Sequence, residues 1–107
     1  MIGDREETNL EIGPGKMRSL ISGCKMYTVR GGHCQFSKNI RVSSGGGEGV
    51  TCIVNSYTHT IFSQVPFTVF TADGYRNIWE AIQTLRIFSP GIGYEDEVTI
   101  IEFRTAL

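Results

Sequence analysis

Cys24, His33, Cys34, Cys52 and His59 are the side chains in this sequence whose types ligate metals or act as nucleophiles. Zinc asks for four nitrogen or sulfur ligands, and structural sites usually supply them as close pairs that one short loop can aim together. Here the gaps are long, and the adjacent His33 and Cys34 would point to opposite sides of an extended chain. The spacing argues against a metal, and small buried cysteines with surface histidines account for the same residues. A thiol–imidazole pair is the other chemistry on offer. If Asn55-Ser56 is a two-residue turn, Cys52 lies across from His59, and the imidazole could draw the thiol proton. Asp73 or Glu48 would then have to orient the ring. The same face would carry Val50, Val54 and Ile61, which reads as core. Cys52 and His59 are the candidate catalytic pair; no metal and no cofactor is expected.

The remaining patterns carry less. Ser44 to Gly49 is rich in glycine, but a phosphate-cradling loop opens a helix and this one precedes a strand pattern without a Lys. Gly91-Ile92-Gly93 likewise leads into acidic residues. Glu95, Asp96 and Glu97 are consecutive, whereas calcium loops space their oxygens more widely. Glu80 and Glu102 are single carboxylates with no visible titratable partner. Tyr27, Phe36, Tyr57, Phe62, Phe67, Phe70 and Trp79 could stack bases, and Lys25, Arg30, Lys38 and Arg41 gather in one stretch. Alternating aromatics are more often core, so nucleic-acid binding is disfavoured.

The elements that would position these residues read as an α+β fold. Tyr75, Ile78, Trp79, Ile82 and Leu85 recur at helical spacing, which predicts one main amphipathic helix over about 74–87, capped by Asp73 and closed by Ser89-Pro90-Gly91. The rest reads mainly as an antiparallel sheet of about five strands in the order β-β-β-β-α-β, with the helix on one face. Cys24 to Arg30 and Cys34 to Val42 are expected to form a hairpin about Gly31-Gly32-His33. Val50 to Ile61 is expected to form a second hairpin, and Val65 to Ala72 to run extended, with Pro66 at an edge or bulge. Val98 to Phe103 is the final strand. Pro14 to Ser22 could form a short helix ended by Gly23, and residues 1–13 read as a loosely held leader with an edge strand near Thr8 to Ile12.

Composition bounds the function classes. The 107 residues are expected to make one domain, 40% hydrophobic and 20% charged, with a formal charge of −1. Such a balance gives no general electrostatic hold on nucleic acid. No apolar run reaches the roughly eighteen residues that span a bilayer, no basic-then-apolar leader opens the chain, and three cysteines are a poor disulfide set. The expectation is a cytoplasmic protein with no membrane association.

Phe62, Val65, Phe67, Val69 and Phe70 cannot all face one core if extended, because successive strand residues point opposite ways. Some need a second cover, from the N-terminal segment or another subunit. The favoured reading is a small non-catalytic interaction module that self-associates, most simply as a homodimer. The alternative is a small-ligand binder or enzyme whose cleft between sheet and helix is lined by Cys52, Tyr57, His59, Tyr75 and Trp79. Single-stranded nucleic-acid binding through the first hairpin ranks last.

Overall fold

The computed structural model describes residues 6–12, 14–23, 25–45 and 47–106. Cys24 therefore lies outside the described residues, as do positions 1–5 and 13 of the expected leader. The elements run β1 (Glu6–Glu11), α1 (Pro14–Ile21), β2 (Met26–Gly31), β3 (Gln35–Ser43), β4 (Val50–Ile61), a 3-10 turn (Phe62–Gln64), α2 (Phe67–Ala72), α3 (Ile78–Phe88) and β5 (Glu97–Thr105). The fold is α+β. Its five strands form one sheet in the order β1-β3-β4-β5-β2. The β1–β3 pairing is parallel and the other pairings are antiparallel, so the sheet is mixed.

β5 shows why the molecule has layers on both sides of the sheet. Ile101 and Phe103 join Leu10, Leu20, Met26, Ile40, Val42 and Cys52 in one buried cluster. Val98, from the opposite face, joins Val29, Phe62, Phe70, Ile82 and Leu85 in another. A strand alternates its side chains, so a central strand buried on both sides carries apolar residues at both alternations, as Val98 and Ile100 do on one face and Ile101 and Phe103 on the other. α1 covers the first face through Leu20; α2 and α3 cover the second. Leu10 and Ile12 of the N-terminal segment are buried in the first cluster, whereas Phe62, Val65 and Phe70 are buried in the second and Phe67 stays exposed.

Several expected elements are corrected. β2 does not form a hairpin with β3; it pairs with β5 at the far side of the sheet. Residues 32–34 instead cross over β5 and β4 to reach β3, a span of about three strand spacings or 14 Å, which four Cα steps just cover. Asn55-Ser56 is not a turn. β4 runs unbroken from Val50 to Ile61, and the register against β5 slips between Val54 and Ser56, which makes Asn55 a bulge residue.

The stretch expected to be extended after Val65 is helical from Phe67, because Pro66 at φ −58° is set for a helix entry. Asp73 does not cap the main helix. Asp73 and Gly74 end α2: Gly74 takes φ 95°, its N–H bonds Thr71 O at 3.0 Å, and the Tyr75 N–H bonds Phe70 O at 2.9 Å. That pair of bonds is a Schellman closure. The main helix starts later, at Ile78, with Asn77 Oδ1 accepting from the Glu80 N–H at 2.8 Å. Pro14–Ile21 is helical, and Gly23 at φ 92° comes after its end.

The sheet curls until its outer strands meet. Arg30 of edge strand β2 donates to the backbone carbonyl of Glu11, at the end of edge strand β1. Beside this seam, Lys16 of α1 bonds Asp73 at the end of α2, and the Thr28 hydroxyl of β2 lies 3.5 Å from the same carboxylate. The clasp lies along the edge of β2, a common way of covering an open edge. Among the described residues no helix is long and apolar enough to cross a membrane.

Candidate functional site

Cys52 and His59 are not neighbours. They lie on the same strand, and only the bulge at Asn55 returns them to one face, where their partners on β5 are Thr105 and Thr99. Seven residues of strand separate them by roughly 20 Å. Cys52 is fully buried, and burial pushes its thiol up to about 11, so it stays protonated at neutral pH. The thiol–imidazole pair expected from a hairpin register therefore does not exist.

His59 belongs to a different group, assembled by the crossing connection. Its ring stacks on His33 with centroids 3.6 Å apart, and Tyr57 meets it edge-on at 5.6 Å. His59 Nδ1 lies 3.1 Å from the hydroxyl of Thr99, its cross-strand partner. That hydroxyl donates to Gly32 O at 2.8 Å and accepts from the Cys34 N–H at 2.9 Å. With its one proton committed to Gly32, it can only accept from His59, which assigns the ring proton to Nδ1. The Cys34 thiol is raised above its ordinary value, chiefly by burial and against the pull of Thr99. The cluster holds a backbone crossing in place and contains no activated nucleophile. Among the described residues no group of three or more His, Cys, Asp or Glu side chains could hold a metal ion.

A cleft between sheet and helix is present, but its lining is not the expected one. Of Tyr57, His59, Tyr75 and Trp79, only Tyr75 lines it. This cavity of about 290 Å³ lies at the seam, walled by Ile12, Val29, Leu85, Ile87 and Phe88, with Lys16, Arg30, Tyr75 and Thr84 among its polar groups. A second hollow of about 260 Å³ shares Glu11, Arg30 and Phe88 with it. The titratable groups here feel the loss of water. Burial lowers the Arg30 guanidinium from its usual value, and neighbouring Asp73 pulls it partly back. Burial raises the Asp73 carboxyl despite Lys16, Arg30 and Thr28, all of which favour its charged form. It also raises Tyr75.

The other prominent feature is the outer flank of α3. Trp79 is 59% exposed, Ile87 73% and Phe88 71%. Trp79, Gln83 and Ile87 are four residues apart in turn, so they form one row along the helix over about 12 Å. The core face of the same helix is Ala81, Ile82 and Leu85. Sequence periodicity places Trp79 on that core face; the buried face is instead Ala81, Ile82 and Leu85, and the indole stands in water. Ile87 and Phe88 stand at the very end of the helix, outside the apolar repeat that marks it in the sequence.

The basic residues of the expected first hairpin do not make one surface. Lys25 sits 3.7 Å from Glu102, Arg30 turns to Glu11 at the seam, and Lys38 and Arg41 lie on β3, several strands from β2. Arg30, Thr99 and Lys16 give no sequence signal for the roles they take, because each depends on partners distant in the chain. Comparison with known families, with characterised proteins and with solved structures finds no match to this chain.

Proposed function

We propose that the protein is a small non-catalytic interaction module that self-associates through the outer flank of α3. The observation that carries this reading is the row of Trp79, Gln83 and Ile87, with Phe88 beside it, standing in water on a helix whose other face is already packed. Scattered exposed apolar residues are ordinary, but Trp79, Ile87 and Phe88 standing out from one helix, with Gln83 between them, have the composition of an interface centre. A second copy is the simplest occupant. Two α3 helices packed antiparallel about Gln83 would set Trp79 of each copy against Ile87 of the other, a self-complementary two-fold contact. The net charge of −1 puts little repulsion between copies.

The test is the solution mass by light scattering over a range of concentrations, for the wild type and for Ile87→Glu. The wild type is expected to form a dimer. Placing a carboxylate in the strip is expected to weaken association by about thirtyfold or more, the scale of an interface hot spot. A wild type that stays monomeric, or a dimer indifferent to the substitution, would overturn the reading.

A further inference from the structure

The seam cavity has a composition that self-association does not explain. Its walls are largely aliphatic and aromatic, and its lining carries two cations, Lys16 and Arg30, against one carboxylate, Glu11. Lys16 is held by Asp73. Arg30, which is partly exposed, donates to the Glu11 carbonyl and lines the cavity. A guanidinium has five N–H donors in a geometry that matches a carboxylate. A ligand would meet a cationic fork at one end and apolar walls along the rest. A purely apolar ligand would strip water from Arg30 without replacing it.

We propose that this cavity binds a small aliphatic carboxylate, its head on the Arg30 guanidinium and its chain against Ile12, Leu85 and Phe88. The volume of about 290 Å³ suits a chain of a few carbons up to medium length rather than a long fatty acid. Burial lowers the Arg30 guanidinium despite Asp73 and Glu11, and an incoming carboxylate would offset part of the hydration that burial has taken away.

The experiment titrates the full chain with butanoate, hexanoate and octanoate, and separately with 1-octanol, tracking backbone amide shifts by NMR. Saturable shifts are expected at Val29, Arg30, Tyr75 and Leu85. Each pair of added methylenes should tighten binding roughly tenfold until the cavity is full. Octanoate should bind about tenfold or more tightly than 1-octanol, and Arg30→Gln should erase that preference while leaving octanol binding in place. Octanoate no tighter than octanol, no dependence on chain length, or shifts that map away from the seam would each overturn the proposal. The wild-type comparisons decide the matter even if Arg30→Gln loosens the fold. The cavity shares Ile87 and Phe88 with the proposed contact between copies, and the two readings are told apart because self-association is read by mass and binding by ligand-dependent shifts at Val29 and Arg30.

Discussion

Replacing Thr99 by Val keeps the shape of the side chain and removes the hydroxyl that serves Gly32, Cys34 and His59 together. Thr99 is fully buried, so the Cys34 N–H and the Gly32 carbonyl would lose their partner away from water. Thr99→Val is expected to cost about 1–3 kcal/mol in urea unfolding, and His59→Ala less, because that ring is exposed and its loss leaves no buried group unpaired. An equal cost for the two would mean the histidine stack, not the hydroxyl, holds the crossing. Asp73 makes a second prediction at this scale. Its folded carboxyl titrates above the ordinary 3.8 because burial outweighs the Lys16 ion pair. The folded state therefore holds this proton more tightly than the unfolded chain, and the contribution to stability rises as pH falls through that interval. Asp73→Asn abolishes the titration, so the stability of the wild type relative to the variant should improve between about pH 7 and about pH 4. A relative stability that declines on acidification would show that Lys16, not burial, governs the carboxyl.

Among the elements, α3 offers the cleanest test of a boundary. Asn77→Ala is expected to cost about 1 kcal/mol in thermal or urea unfolding, the usual loss of an N-cap, whereas a helix that began at Gly74 would lose nothing comparable. The helix was legible because Ile78, Ile82 and Leu85 repeat at its period, and β5 was legible from its dense β-branched run. The boundary was not, since Asp73-Gly74 serves equally well to start a helix after it or to stop one before it. Phe67 to Ala72 failed for a related reason: over six residues, apolar spacing fits a strand or a helix turn. Asn55-Ser56 looked like a turn because a bulge and a turn recruit the same residue types, and only the partner strand tells them apart. The β2–β3 hairpin failed because strand pairing is decided by contacts far apart in sequence. His59 and Cys52 were paired by the turn at Asn55-Ser56, and the error in the site is the error in the strand.

The whole molecule is a curled mixed sheet covered on both faces, with a seam where its outer strands meet and one helix flank left apolar. Neither the seam nor the flank can be read from any single segment; each appears when α1, β2 and the α2–α3 pair are brought together. The composition is ordinary, and both proposals rest on surface and cavity. Trp79 is the chain's one tryptophan, and it stands in the proposed contact. The most direct measurement is therefore its fluorescence emission across a wide range of protein concentration. Self-association through α3 predicts water-exposed emission at low concentration that shifts to shorter wavelength as the indole is buried between copies. Emission that stays at the water-exposed position at every concentration would contradict it.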